Sequence, residues 1–208
     1  AGRPAESTDS PLAFEHRIID PKGPENPWIK IAADLDGSGI PSILIGGQNG
    51  PLVGYTPPDW KKAPIAGGGY HTVDGECGDI DGDGDLDIVI GMEYWYENPR
   101  PLGQPARDPW TVHPLSDLRT HDVELADLNG DGQLDIIARD QSGFGYKTGN
   151  RIHLRFQETR GRWSSRALDC PHGEGLCAGD LDRDGDPDIL IGGRWYENPG
   201  RALQDPWN

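Results

Sequence analysis

The 208-residue chain is poor in methionine, in cysteine and in positive charge. It has one Met, and no segment approaches the roughly 20 consecutive apolar residues of a membrane helix. Its 19 Lys and Arg are outnumbered by 35 Asp and Glu, so the net charge of −16 disfavours nucleic acid and anionic membranes as partners. It also lacks a Gly-x-Ser-x-Gly elbow and a glycine-rich phosphate loop, so nothing supports nucleophilic hydrolysis.

The three cysteines are Cys77, Cys170 and Cys177, and their odd number leaves at least one thiol free. Cys170 and Cys177 are close enough in sequence to bridge a short loop. The alternative for Cys77 and Cys177, which each precede an acidic loop, is that they are small buried residues. Both interpretations stay open from the sequence.

The sequence is rich in turn residues, with 30 Gly and 19 Pro, which is typical of a β protein with many loops. Its length suffices for one sizeable domain. We expect residues 1–12 to be the poorly ordered, polar start of a processed chain. Residues 13–208 then form a single domain.

One acidic loop dominates the sequence, with Asp at every second position and Gly between them, directly before an apolar β-branched run. Like charges at this spacing repel one another, and a hard cation with an oxygen shell such as Ca²⁺ removes the repulsion. The predicted ligands of this loop are Asp79, Asp81, Asp83 and Asp87, with the carbonyl of Asp85.

The loop occurs four times, with starts at Asp34, Asp79, Asp127 and Asp180 that are 45, 48 and 53 residues apart. The first copy has Ser at two ligand positions, so less negative charge would hold a cation there. The corresponding positions in the other copies are Asp127, Asn129, Asp131, Gln133 and Asp135; Asp180, Asp182, Asp184, Asp186 and Asp188; and Asp34, Asp36, Ser38, Ile40 and Ser42. We therefore predict three Ca²⁺ sites and a weaker fourth.

The loops have two alternative interpretations. An EF-hand needs a bidentate Glu at position 12 followed by a helix. Position 12 here is Ile90, Ala138 or Ile191, and the flanking residues favour strands, so an EF-hand is excluded. The other alternative is a set of solvated acidic turns that hold no metal.

A repeat of about 50 residues matches one four-stranded propeller blade. We predict an all-β fold: a β-propeller of four blades, each with four antiparallel strands. The last repeat stops at Asn208, where its fourth strand would begin, and the segment Phe14–Ile19 resembles the outer strands of the other repeats. We expect this segment to complete the last blade and close the ring. The alternative is a piece of a larger propeller.

The Asp-x-Asp-x-Asp-Gly-x-x-Asp loop before an Ile/Val strand resembles the FG-GAP and VCBS repeats of integrin-α-like propellers, over about residues 28–199. The Phe-Gly of that family is absent before these loops. The segments Trp95–Pro99 and Trp195–Pro199 are similar to propellers of the aldos-2-ulose dehydratase type. These resemblances imply calcium binding and, for the second group, activity on carbohydrate.

Histidines precede the last three loops, at His71, His121 and His172, and Glu76 and Glu124 lie close to them in sequence. The first strand of each blade lines the axis, so we expect these side chains at one mouth of the channel. Three imidazoles can bind a divalent transition metal or act as acid and base. Lys30 takes the corresponding place in the first repeat. The alternative is that the histidines only cap strand ends.

We therefore expect a secreted, calcium-stabilised propeller that binds a small ligand, most plausibly carbohydrate, at the channel mouth. Export is expected because Ca²⁺ is abundant outside cells. A carbohydrate lyase or dehydratase using His71, His121, His172, Glu76, Glu124 and Lys30, with or without a transition metal, is the second hypothesis. A structural or adhesive module is the third.

The Trp-Tyr pairs either pack between blades or stack on sugars, and the Gly-rich insertion at 141–150 is a candidate functional loop.

Overall fold

A computed structural model describes residues 14–48, 50–140, 150–171 and 175–208. These residues form 15 β-strands and no helix. Accordingly, no membrane-crossing helix is found among them. The strands are β1 (Pro27–Ala33), β2 (Ser42–Gly47), β3 (Leu52–Thr56), β4 (Lys61–Ala66), β5 (Gly75–Gly78), β6 (Asp87–Ile90), β7 (Tyr94–Glu97), β8 (Thr111–Pro114), β9 (Asp122–Ala126), β10 (Asp135–Arg139), β11 (Asn150–Thr159), β12 (Arg162–Cys170), β13 (Leu176–Gly179), β14 (Asp188–Ile191) and β15 (Arg194–Tyr196).

The strands form four antiparallel sheets in sequence order, which we number as blades one to four. The first three blades have four strands each (β1–β4, β5–β8 and β9–β12), and the fourth blade has three (β13–β15). Neighbouring blades pack through their first strands, β1 on β5, β5 on β9 and β9 on β13. The four sheets lie in a ring, which confirms the predicted all-β propeller of four blades. Each acidic loop joins the first strand of its blade to the second.

Alternation of side chains along the second strand builds the core on both faces of a blade. In blade two, Ile88 and Ile90 pack with blade one, whereas Val89 packs with blade three. The next strand repeats the alternation, since Tyr96 packs with blade one and Trp95 with blade three. Trp95 is only 1% exposed, so the prediction that this Trp-Tyr pair packs between blades is confirmed.

The junction between blades four and one is built differently. In the described part of the chain, buried apolar clusters join blades one and two, two and three, and three and four, but none spans blades four and one. Trp195 occupies the place in blade four that Trp95 has in blade two, yet it is 48% exposed. Leu181 on the same face is 45% exposed.

The predicted pairing of residues 14–19 with blade four is not seen, because these residues form no strand. The next residue, Asp20, is held on blade one by the hydroxyl of Tyr55 at 2.7 Å and the ammonium of Lys62 at 2.9 Å. Among the described residues, the chain that meets the outer edge of blade four is instead the other end of the chain. Asn208 exchanges two backbone hydrogen bonds with Glu197, at 3.1 and 3.4 Å.

All three cysteines are free, so Cys170 and Cys177 form no disulfide. Cys170 is buried on β12 and Cys177 is exposed on β13, where the two strands belong to different blades. Cys77 is half-buried. The predicted leader at 1–12 and nearly all of the insertion at 141–150 lie outside the described residues.

Candidate cation sites and channel residues

The first Asp of each loop accepts hydrogen bonds from backbone N–H groups of the same loop. In the second loop, Asp79 accepts from the N–H groups of Asp83 at 3.1 Å and Gly84 at 3.0 Å. Gly84 has a φ of +93°, a conformation that glycine adopts without a Cβ clash. The bond from the sixth-position N–H recurs in the other loops, at 2.7 Å for Gly39 to Asp34, 2.8 Å for Gly132 to Asp127 and 3.2 Å for Gly185 to Asp180. One local structure is therefore repeated four times.

The third and fifth side chains also accept N–H groups two residues further on. In the fourth loop, Asp182 accepts from the N–H of Asp184 at 3.2 Å, and Asp184 accepts from that of Asp186 at 3.0 Å. These short turns face the side-chain oxygens towards one another. As a result, ligand atoms come within 4.8 Å of each other in two groups, Asp79, Asp81 and Asp87, and Asp180, Asp182 and Asp184. The same turns are made by Asp36 and Ser38, by Asp81 and Asp83, and by Asn129 and Asp131.

The ninth residue ties each of the last three loops to its own blade. Asp87 is 1% exposed, and its two oxygens accept the backbone N–H groups of Ile80 at 3.0 Å and Asn98 at 2.9 Å. Asp135 and Asp188 make the equivalent pairs of bonds. Burial raises the pKa of Asp87 and of Asp135 to about 7, because the charged carboxylate loses solvation. In the first loop Ser42 replaces this Asp and bonds to Thr56.

A side-chain amide on the third strand or just after it links each of these blades to the preceding one. Asn98 donates from its amide to the carbonyl of Leu35 in the first loop at 3.0 Å. Gln157 donates to Ile80 in the second loop at 2.8 Å, and Asn198 donates to Leu128 in the third loop at 2.9 Å. Asn98, Gln157 and Asn198 therefore have the same two roles. The backbone N–H of each donates to the ninth Asp of its own blade, and its side-chain amide donates to the loop of the preceding blade.

The donor set suits a hard cation such as Ca²⁺, because it consists only of oxygens that converge from one short loop. The carboxyl of Asp85, only 6% exposed, has one buried oxygen for which no donor is found among the described residues. Burial, followed by the charge of Asp83, raises the pKa of Asp85 to about 6. The side chains of the seventh position differ between loops, as Ile40, Asp85, Gln133 and Asp186, so the group common to all four is the backbone carbonyl.

Acidic residues on neighbouring first strands form the candidate channel wall. Glu76 lies on β5 and Glu124 on β9. Burial raises the pKa of Glu124 to about 7, and the negative charges of Glu76, Asp74 and Asp122 raise it further. Burial and the charge of Asp74 also raise the pKa of Glu76. Lys30 lies on β1, where its ammonium is exposed and donates to the carbonyl of Trp28 at 2.7 Å.

The predicted histidines are only partly described. Thr72, the residue after His71, contacts the backbone of His121: its hydroxyl donates to the carbonyl of His121 at 3.0 Å. The ring of His121 lies 3.2 Å from the carboxylate of Asp122. His172 lies outside the described residues. Within those that are described, the groups able to hold a metal contain aspartates and no histidine.

His71 lines a polar cavity of about 270 Å³ with four side chains that the sequence did not single out. They are Glu93, Ser116, Asp117 and Arg119. Glu93 is only 8% exposed and accepts the backbone N–H of His71 at 2.8 Å. The turn between β6 and β7 and the segment after β8 bring these residues together. No local motif marks them, so only the fold could have revealed the cavity.

Sequence reasoning also missed two arginines that lie over loops of the preceding blade. Arg160, in the β11–β12 turn of blade three, lies 2.6 Å from the carboxylate of Asp81. Arg100, which follows the third strand of blade two, lies against Gly37 of the first loop. Neither arginine is near its loop in the sequence, and the blade-to-blade packing creates both contacts.

No protein-family model matches the chain, and no curated protein matches it significantly. Membership of the FG-GAP or VCBS family therefore stays a prediction, as does the similarity to aldos-2-ulose dehydratase.

Proposed function

We propose that the chain is a calcium-binding β-propeller module in which the bound cations stabilise the loops between the first and second strands of the blades. The observation that supports the proposal is the loop structure found in all four blades, in which the first Asp accepts the sixth-position N–H; in the second and fourth loops the ligand atoms of three aspartates also converge within 4.8 Å. Asp180, Asp182 and Asp184 illustrate it best, because their ligand atoms lie within 4.8 Å of one another and all three residues are exposed.

The chemistry of the chain supports Ca²⁺ over softer metals. The converging groups are carboxylates, amides and hydroxyls, which suit hard cations, whereas transition metals favour imidazole or thiolate. Four divalent ions would supply +8 against the formal charge of −16. In each loop the first, third, fifth and ninth side chains and the seventh carbonyl would hold the ion. Secretion fits this proposal because the ion is plentiful outside cells.

A calcium titration tests the proposal. Binding to the folded state alone stabilises it by RT ln(1 + [L]/Kd), so each site contributes about 2.7 kcal/mol at 100 times its Kd. We expect EDTA to lower the melting temperature by many degrees and Asp184→Ala to remove part of the calcium response. Asp59→Ala, which removes an exposed acid outside the loops, is the matched control. A melting temperature unaffected by Ca²⁺, with no ion retained after dialysis, would contradict the proposal.

The polar cavity beside His71 favours binding of a small polyhydroxylated ligand as a second function. A buried carboxylate, a hydroxyl and a guanidinium around one cavity of about 270 Å³ can each hydrogen-bond to sugar hydroxyls. Carbohydrate remains the proposed class. Saturation-transfer NMR with mannose and with galacturonate should give signals that Arg119→Ala weakens and Lys61→Ala, on the exposed outer strand β4, leaves unchanged. Equal signals from all three proteins would argue against this cavity.

A further inference from the structure

Arg160 forms ion pairs with two carboxylates of the neighbouring blade. Its Nη2 lies 2.6 Å from Asp81 Oδ2 and 2.6 Å from Glu97 Oε1. The side chain of Asp81 is fully shielded from solvent, whereas that of Arg160 is 55% exposed. Glu97 is held from its other oxygen by the ring of His113, at 2.8 Å. The guanidinium thus extends from the turn of blade three onto the second loop.

The two oxygens of Asp81 have different neighbours, a hydrogen-bond donor at one and, at the other, an ion pair that does not have hydrogen-bond geometry. Oδ1 accepts the N–H of Asp83 at 3.2 Å, and Oδ2 faces Arg160. The corresponding residue of the fourth loop, Asp182, accepts the N–H of Asp184 through Oδ1 in the same way. In the described part of the chain, however, no Lys or Arg forms an ion pair with a carboxylate of the fourth loop. Two loops with the same aspartates therefore differ in the positive charge beside them.

Blades two and four differ at a second position in the positive charge near their loops. The repeated Trp-Tyr-Glu-Asn-Pro segment continues with Arg100 in blade two and with Gly200 in blade four. A Cβ on Gly37 would lie 2.8 Å from a guanidinium nitrogen of Arg100, and a Cβ on Gly200 would lie 3.1 Å from the Asp186 carboxylate. Arg100 thus lies beside the first loop, and its positive charge also acts on Asp85 of the second loop, whereas the corresponding position beside Asp186 of the fourth loop has no side chain.

We propose that Arg160 is a built-in counter-ion of the second loop, which competes with Ca²⁺ for Asp81 and makes this loop fill at higher calcium concentration than the fourth. Because Oδ2 of Asp81 already faces the guanidinium, a cation that binds this oxygen displaces Arg160 from Asp81. Glu97 keeps one ion pair with the displaced guanidinium, and the displacement therefore costs one contact and leaves the other. The inference rests on the proposed calcium binding and adds an order of filling to it.

Amide NMR during a calcium titration resolves the loops separately. The sixth-position N–H groups of Gly84 and Gly185 report on the second and fourth loops, since both bond to the first Asp of their loop. In the wild-type protein we expect the Gly185 signal to respond at lower Ca²⁺ than the Gly84 signal. In Arg160→Ala, the midpoint for Gly84 should fall about tenfold, because a competing positive charge is gone, while that for Gly185 stays unchanged.

Arg162→Ala is the matched control, since this arginine lies in the same turn but pairs with Glu158. Arg160→Gln keeps a polar side chain with N–H donors but removes the charge, and should reproduce the effect of Arg160→Ala. An unchanged or higher Gly84 midpoint in both Arg160 variants would overturn the inference, with the calcium sites themselves intact. If neither glycine responds to Ca²⁺ in any protein, the proposed calcium binding itself fails, and the order of filling fails with it.

Discussion

Glu124 carries an unfavourable charge in the folded protein, and its neutralisation should stabilise the propeller at alkaline pH. The side chain lies half-buried on β9, and its pKa is raised from 4.5 to about 7 by burial, then by Glu76, Asp74 and Asp122. In the unfolded chain the same group has an ordinary pKa near 4.3. The change to test is Glu124→Gln, which keeps the size of the side chain and removes its charge.

The direction of this pH effect follows from the protonation of Glu124 in the folded and unfolded states. Because the pKa of Glu124 is raised in the folded protein, the folded state holds the proton more tightly than the unfolded state. The stabilisation of the folded state by this proton is fully present below the pKa of the unfolded chain. It is lost as pH rises from about 4.5 through about 7. One pKa unit corresponds to about 1.36 kcal/mol, so the loss by pH 8 is at most about 3 kcal/mol. The variant should therefore be about 1–3 kcal/mol more stable than the wild type at pH 8 and nearly equal to it at pH 4.

Urea unfolding of both proteins at pH 4, 6 and 8 measures this difference, and pH effects common to the two proteins cancel in the comparison. Glu25→Gln, at an exposed position outside the channel wall, controls for a general effect of lower negative charge. Glu76→Gln should give part of the same gain, since the charge of Glu76 is the second cause of the raised pKa. A stability difference that does not change with pH, or a variant that is less stable at pH 8, would refute the reasoning.

Four further substitutions test packing and loop geometry through the free energy of unfolding. Trp95→Ala should lower the free energy of unfolding by about 3–5 kcal/mol and Trp195→Ala by less than about 1.5 kcal/mol, because Trp95 is 1% exposed and Trp195 48%. Equal losses would show that Trp195 is covered in solution. Arg183→Gly should stabilise the protein by about 1 kcal/mol, because Arg183 has a φ of +69° where the other three loops have glycine, and a loss of stability would contradict this. Asn198→Ala should cost about 1–3 kcal/mol, since the carbonyls of Leu128 and Pro187 would lose their buried donor; a neutral result would mean that water replaces the amide.

The sequence predicted those parts of the fold that repeat. Four loops about 50 residues apart fix the connection between the first and second strands of every blade, and the outer strands that the repeat predicts are found in the first three blades as β4, β8 and β12. The prediction for residues 14–19 rested on similarity to these outer strands, but a strand forms only where a partner edge is reached. The sequence does not reveal that Tyr55 and Lys62 hold Asp20 on blade one.

The candidate site was likewise predictable from the sequence only in part. Local chemistry predicted the acidic groups found in the second and fourth loops, because the aspartates of one loop are close in sequence; the complete ligand sets stay predictions. Contacts between blades were not predictable, since Arg160 and Asp81 are far apart in the chain and belong to different repeats. The His71 cavity is a further example, because Glu93 and Arg119 meet there only after blade two has folded. Whether the histidines share a ligand stays a prediction, because His172 lies outside the described residues.

The ninth loop residue explains why a cation in one loop should strengthen the junction between blades. Asp188 joins the loop to the third strand through the N–H of Asn198, and the amide of Asn198 fastens the third loop of the preceding blade. A cation that holds the carboxylate of Asp188 therefore also orders the residue that bridges two blades. The first blade has Ser42 in place of this Asp, and the residue that aligns with Asn98 there is Pro57, which has no amide donor. Both members of the link are absent from blade one, and its junction with blade four is the one pair of neighbouring blades that shares no buried cluster among the described residues. Cation binding should accordingly stabilise the three junctions that carry the link and leave the fourth unaffected.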